Sequence, residues 1–110
     1  MATNYKYQQV QGTASTGTYA TVYNSAAATQ AVVSTITICN TAATSATYRI
    51  GLTTGATTPA ASNWIVYDSV VAGNDTVCLT LGVCLPALNH IRVSSSAATV
   101  TFSAFVSEIT

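Results

Sequence analysis

Charge is the scarcest property of this sequence. Its 110 residues include three basic and three acidic side chains, which give a formal net charge of zero. A typical soluble domain has about a quarter charged residues, and these charges keep free copies of a protein apart. We therefore expect the chain not to remain a free monomer, because a neutral exterior suits contact with further copies or with a larger assembly.

The shortage of charge also limits the partners that we expect. Nucleic acids and anionic membranes attract clusters of Lys and Arg, so neither is expected as a partner. The longest aliphatic runs cover a few residues, as at 70–72, and are too short to span a bilayer. The first residues lack the apolar stretch of a signal peptide, so Cys39, Cys78 and Cys84 are expected to be reduced thiols at synthesis.

Residues that support catalysis are few. His90 is the single histidine and the only general base near neutral pH. Ser94, Cys84 and Asp75 are nominal partners for a catalytic triad, but no nucleophile motif surrounds them. We interpret His90 as a strand-edge residue on a polar face, and we predict a protein without catalytic residues, which is not an enzyme.

Metal and cofactor sites are not expected either. Zinc sites draw on paired ligands such as CxxC, whereas Cys78 and Cys84 lie six positions apart and Cys39 is remote. The three acidic residues form no calcium-binding loop. The alternation predicts that Cys39 and Cys78 point away from the apolar face of their strands, where they could fill a second apolar layer or a subunit contact. The interpretation that we favour is that the cysteines are small buried apolar side chains.

Alternation of apolar and polar residues is the dominant pattern, and it predicts β-strands. The predicted strands cover residues 18–23, 32–40, 46–52, 63–69, 76–81, 90–94 and 99–106, with 5–10 as a more polar eighth strand. Gly, Asn, Asp and Pro separate them. Seven to eight short strands predict an all-β fold, an antiparallel β-sandwich that is immunoglobulin-like or jelly-roll-like. It forms a single domain over 1–110, with 1–17 as an N-terminal arm or edge strand.

Residues 70–81 resemble the hairpin edge of immunoglobulin-like sandwiches, with Gly73 able to take a positive φ in the turn. The apolar phase of the strands predicts the central core, which consists of Ile36, Ile38, Tyr48, Ile50, Leu79, Leu81, Val93, Val100 and Phe102.

Three aromatic residues are the candidates for contact with a partner or ligand. Trp64, Tyr67 and Tyr23 could form a platform for sugar rings. Tyr and Trp are also the usual anchors of cores and interfaces, and we favour that reading.

The sequence also resembles a known family. Residues 29–40 (TQAVVSTITICN), 47–50 (TYRI), 72–76 (AGNDT), 79–82 (LTLG) and 102–110 (FSAFVSEIT) resemble segments of small β-sandwich virion proteins of tailed bacteriophages, especially those of cyanobacteria. The resemblance extends from about Thr18 to the end of the chain. The family is recognised by this series of short segments and not by a catalytic motif.

The resemblance implies a role as a non-enzymatic structural protein located in the virion and made in the bacterial host cytoplasm. Its implied partners are itself, as a homo-oligomer such as a trimer or ring, and other virion proteins. We favour a tail, neck or baseplate component, with a capsid cement or decoration protein as the alternative. A second alternative is a carbohydrate-binding module for the host surface.

Overall fold

The computed structural model describes residues 3–15 and 17–110, and strands make up most of it. A single 3₁₀ turn at Ala61–Asn63 is the only helical element among these residues. The nine strands are β1 Thr3–Gln11, β2 Ala20–Asn24, β3 Gln30–Asn40, β4 Ala46–Thr54, β5 Trp64–Val71, β6 Asp75–Leu79, β7 Val83–Leu85, β8 Asn89–Ser95 and β9 Val100–Ile109.

The strands form two antiparallel sheets. The five-stranded sheet has the order β1-β9-β3-β6, with β7 also paired to β3, and the four-stranded sheet has the order β2-β8-β4-β5. Strands β6 and β7 pair with successive parts of β3, so together they form one broken edge strand. When this strand is counted once, the strand order is that of a jelly roll. The predicted all-β sandwich is therefore confirmed, and the topology follows the jelly-roll alternative.

The predicted number of strands is too low. The sequence pattern over 76–81 continues beyond Leu79, but β6 ends there and a further strand, β7, begins at Val83. Gly82 has φ 63° between the two strands, a conformation that interrupts a regular strand. Leu81 consequently leaves the sheet with 53% of its surface exposed, so its assignment to the core is wrong.

The expected hairpin over residues 70–81 is also wrong. Strand β5 pairs with β4 in one sheet, whereas β6 pairs with β3 in the other, so the chain crosses between the sheets. The residue with positive φ in this turn is Asn74, at 55°, and not Gly73. Gly73 is needed because a Cβ there would collide with the carbonyl oxygen of Ala43.

The core lies between the two sheets and contains most of the predicted side chains. Seven of the nine are buried, namely Ile36, Ile38, Tyr48, Ile50, Val93, Val100 and Phe102. Tyr48 from one sheet meets Phe102 from the other edge to face, with ring centroids 6.3 Å apart. Leu79 has the predicted inward phase, since it pairs with Ile36, but it is only partly buried at the sheet edge.

Candidate functional site

A cluster of aromatic residues surrounds an arginine on the four-stranded sheet. We call it the Trp64 cluster, and it consists of Tyr19, Arg49, Trp64, Tyr67 and Asp68. The Arg49 guanidinium carbon lies 4.2 Å from the centre of the Tyr67 ring and 5.7 Å from that of Trp64. The Trp64 ring meets Tyr67 edge to face at 5.3 Å and Tyr19 at 5.6 Å. The guanidinium is thus held over electron-rich ring faces.

Polar contacts fix the same guanidinium. Arg49 donates from Nε to Asp68 Oδ1 at 2.6 Å and from Nη2 to Oδ2 at 3.1 Å, a two-pronged pair. Its Nη1 donates to the Tyr19 hydroxyl at 3.3 Å. The hydrogen bond from Arg49 holds the pKa of Asp68 below its ordinary value, so this exposed carboxylate remains ionised.

Local backbone features bring the cluster together. Asp68 adopts φ 54°, a conformation that Asp tolerates better than most residues, beside register shifts between β4 and β5. Gly51 lies under Trp64 and Pro59, where an added Cβ would come within 3.1 Å of both side chains. A side chain at position 51 would therefore push the indole away from the sheet.

The three aromatic candidates do not form one platform. Trp64 and Tyr67 are in contact, and with Ala61 they line a shallow depression of about 340 Å³. Tyr23 is completely buried in the core, where its hydroxyl donates a hydrogen bond to Glu108. It therefore offers no surface to a ligand. Tyr19 is the third aromatic member of the cluster. It lies just before β2, and the alternation over residues 18–23 does not predict its contact with Trp64.

Tyr23 belongs instead to a polar group between the sheets. Glu108 accepts from the Tyr23 hydroxyl and pairs with Lys6, whose Nζ lies 3.0 Å from Glu108 Oε2. Burial opposes ionisation of Glu108, but the hydrogen bonds from Tyr23 and Lys6 and the charge of Lys6 outweigh it, so its pKa is lowered. Burial, and next the Glu108 carboxylate, raise the pKa of Tyr23 well above its usual value.

His90 lies at the start of β8, where its Nδ1 is 3.2 Å from Thr21 Oγ1. The same hydroxyl accepts a hydrogen bond from Arg92 Nη1 at 2.8 Å, so Thr21 links Arg92 to His90. Partial burial, and next the charge of Arg92, lower the pKa of His90. The imidazole is thus neutral near pH 7, with one nitrogen already occupied. Strand β8 is an inner strand of its sheet, so His90 does not lie on an edge strand.

All three cysteines lie on the outer surface of the five-stranded sheet. Cys39 on β3 and Cys78 on β6 occupy outward-facing positions, and Cys84 on β7 is opposite the outward-facing Val32. The predicted outward phase of Cys39 and Cys78 is therefore confirmed, whereas the favoured interpretation as buried side chains is wrong for Cys78 and Cys84, which are exposed free thiols. Within residues 3–15 and 17–110, no group of three or more His, Cys, Asp or Glu side chains is arranged to hold a metal ion.

The strand registers show that the outer surface of the five-stranded sheet is built from uncharged residues. We call it the uncharged face. Its residues are Thr3, Tyr5, Tyr7, Gln9 and Gln11 of β1, Thr101, Ser103, Phe105, Ser107 and Ile109 of β9, Gln30, Val32, Thr35, Thr37 and Cys39 of β3, Thr76 and Cys78 of β6, and Cys84 of β7. None of these described residues carries a formal charge.

Large apolar side chains are exposed on the uncharged face. Tyr5 is 81% exposed, and Tyr7, Val32, Phe105 and Ile109 are each exposed by more than a third. The Tyr7 and Phe105 rings lie 6.3 Å apart, beside a depression of about 330 Å³. Residues 5–10 are polar in overall composition because of Lys6, Gln8 and Gln9, but Tyr5 and Tyr7 alternate with Lys6 and Gln8 and so share one face.

Comparison with known proteins gave no significant match to any family model, curated protein or solved structure. The described part of the chain has no helix of the length and hydrophobicity required to cross a membrane.

Proposed function

We propose that this chain is a non-enzymatic structural subunit of a tailed bacteriophage particle, where it docks as a homo-oligomer. The observation that carries the proposal is the uncharged face, which exposes aromatic and aliphatic side chains on β1, β9 and the start of β3. Large exposed apolar surfaces are typical of protein contacts and are uncommon on free monomers. The sequence resemblance to phage virion proteins is the reason for proposing that the assembly is a phage particle.

The positions of the six charges support an assembly role. Arg49 pairs with Asp68, and Lys6 pairs with Glu108, so four of the charges neutralise each other within the chain. Little long-range repulsion remains to keep copies apart. A subunit that is packed closely among others in a particle benefits from such a surface, whereas a free monomer does not.

The state of His90 supports the non-enzymatic part of the proposal. A general base needs an accessible lone pair and a pKa near the working pH. The Nδ1 atom of His90 is engaged in a hydrogen bond with Thr21, and the lowered pKa of the imidazole weakens it as a proton acceptor. The arrangement resembles a structural hydrogen-bond network and not an activated base.

We favour a tail, neck or baseplate position, with a capsid cement or decoration subunit as the alternative. The jelly-roll order of the strands is compatible with both, since this architecture occurs in viral capsid and lectin domains.

The experiment is to produce phage particles that carry an epitope-tagged copy of the chain and to image them by negative-stain microscopy with gold-labelled antibody. Label on the tail supports the favoured position, and label on the head supports the alternative. Purified particles that lack the chain would overturn the proposal. A His90→Gln variant provides a second test: particles should assemble and infect normally. If they assemble but lose a hydrolytic step at the host surface, the chain is an enzyme.

The second candidate function is carbohydrate binding at the Trp64 cluster. One observation favours it: Tyr67 is 56% exposed beside the depression that it forms with Trp64 and Ala61. A sugar ring that stacks there would change the emission of Trp64, the only tryptophan in the chain. Titration with host-surface glycans should then quench or shift this emission, and Tyr67→Ala should abolish the response. Tyr5→Ala, on the opposite side of the molecule, is the matched control.

A further inference from the structure

We propose that the uncharged face is the contact between two copies of this chain, which pack sheet against sheet about a twofold axis. The inference rests on the proposed homo-oligomeric role and adds the surface that forms the oligomer.

The distribution of charge favours a second copy as the occupant. A twofold contact is isologous, so each patch meets a copy of itself, and a charge near the axis meets the same charge of the other copy. None of the six charged residues occupies an outward-facing position of this sheet: Lys6 and Glu108 have the inward phase, Asp75 is opposite the inward-facing Asn40, and Arg49, Asp68 and Arg92 belong to the other sheet. Lys6, on the edge strand β1, is partly exposed and also lines the depression beside Tyr7, where Glu108 pairs with it. An uncharged patch of this kind can meet a second copy of itself without repulsion between like charges.

The other outer surface does not share this property. The four-stranded sheet carries the Arg49–Asp68 pair and Arg92 outside its core, and contact between two copies of this surface would remove these charged groups from water at a cost in desolvation. A partner of opposite charge would gain nothing from the uncharged face, because that face offers no charge to pair. The two sheets are therefore unequal, and only one of them is suited to self-association.

The size of the face is adequate. Strand β9 has 10 residues, which at about 3.4 Å per residue make the sheet about 34 Å long. Four strand positions at about 4.8 Å spacing make it about 19 Å wide, so the projected area is about 650 Å². A stable interface buries about 800 Å² of accessible surface on each partner, and a corrugated face exposes more than its projected area.

The chemistry of the face is that of an interface core. Phe105 lies on the inner strand β9 and meets Tyr7 of the edge strand β1, and Ser, Thr and Gln side chains on the same face supply hydrogen bonds. Central aromatic residues with a polar rim are the usual anchors of protein interfaces. The exposed thiols of Cys78 and Cys84 lie on the same surface, and cysteine is among the residues most often buried. Cover by a second copy would shield both thiols.

The test is the oligomeric state of the full chain, measured by sedimentation velocity across micromolar concentrations. The wild-type chain should form a dimer or an even-numbered oligomer built from dimers. Phe105→Asp places two like charges across the proposed twofold contact and removes a central aromatic residue. It should raise the dissociation constant by about 100-fold or more, since anchor residues commonly contribute that much.

The matched control is Val70→Asp. Val70 is 63% exposed on β5 of the other sheet, so this variant adds the same charge to an exposed apolar strand position outside the proposed contact. It should leave the dissociation constant within about threefold of the wild-type value, as expected for a surface substitution outside the contact. Far-ultraviolet circular dichroism and the emission of Trp64 confirm that both variants are folded. If Val70→Asp dissociates the oligomer and Phe105→Asp does not, the proposed surface is wrong.

Thiol labelling keeps the proposal falsifiable if Phe105→Asp fails to fold. Cys78 and Cys84 should react slowly with a maleimide in the concentrated wild-type chain and rapidly after dilution below the dissociation constant. Equal rates at both concentrations would overturn the inference. A monomeric wild-type chain whose thiols are protected only in particles would mean that another virion protein covers the face; this outcome also overturns the inference but leaves the proposed function intact. Absence of the chain from particles would instead contradict the proposed function.

Discussion

The Tyr23 hydroxyl donates a hydrogen bond to the Glu108 carboxylate between the two sheets, although the residues are 85 positions apart in the chain. The Lys6 ammonium lies 3.0 Å from the same carboxylate and 5.8 Å from the centre of the Tyr23 ring. This group joins β2 of one sheet to β1 and β9 of the other. It therefore links the two layers by polar contacts near the edge of the apolar core.

Tyr23→Phe removes the hydroxyl donor and retains the ring. We expect the free energy of unfolding to fall by about 1–3 kcal/mol, because the carboxylate loses a partner in a largely buried position. Urea unfolding at pH 7 measures the change. Tyr5→Phe is the control, since Tyr5 is exposed and its variant should remain within about 0.5 kcal/mol of wild type. Equal effects of the two variants would show that the Glu108 contact contributes no stability.

Stability should fall in acid because of Glu108. Its pKa in the folded chain is lowered from the ordinary 4.5, so the unfolded chain takes up this proton at a higher pH than the folded chain does. The contribution of Glu108 is complete above about pH 4.5 and is lost as the pH falls through the lowered value. Free energies of unfolding between pH 7 and pH 2.5 measure this loss.

Glu108→Gln should flatten that acid dependence, because glutamine does not titrate. Asp68 also has a lowered pKa and contributes in the same direction, so part of the slope should remain. The Asp68→Asn variant identifies that part, and the double variant should be flatter than either single one. An unchanged slope in Glu108→Gln would contradict the assigned role of this carboxylate.

Three side chains from the predicted core test how far the buried layer extends. Ile38→Ala should lower the free energy of unfolding by about 2–5 kcal/mol, because the side chain is fully buried between the sheets. Leu79→Ala should cost less than Ile38→Ala, since Leu79 is only partly buried at an edge. Leu81→Ala should cost no more than about 0.5 kcal/mol. The midpoints of urea unfolding should follow this order, and a large loss in Leu81→Ala would show that residue 81 is buried in solution.

The sequence predicts the sandwich well because alternation is a local property of each strand. Ile36, Ile38 and Phe102 have the apolar phase of long strands, and the structure buries all three. Leu81 continues the same local pattern but lies exposed, because the strand ends earlier and Gly82 turns the chain away. Alternation identifies the phase of a residue, but not where a strand ends.

The candidate surfaces were less accessible to sequence reasoning because they depend on pairing between distant strands. Tyr5 and Phe105 share a face through the register of β1 with β9, which local pattern does not determine. The pair between Arg49 and Asp68 depends on a bulged register between β4 and β5 and on a positive φ at Asp68. The alternation around Cys78 gives the face on which its thiol lies, but it does not indicate whether another chain covers that face.

The last prediction concerns how the Trp64 cluster is held together. Arg49→Lys retains the positive charge but loses the planar group that binds both Asp68 oxygens and stacks on Tyr67. We expect Trp64 to become more accessible to acrylamide and its emission to shift to longer wavelength, while circular dichroism shows that the sandwich is retained. Asp68→Asn should produce a smaller change, because the amide keeps the shape and one acceptor. Arg92→Lys, which alters another arginine of the same sheet, is the control and should leave the emission unchanged. If Arg49→Lys leaves acrylamide quenching at the wild-type level, then packing of Trp64 against Pro59 and Gly51 is sufficient to hold the indole, and the guanidinium does not position it.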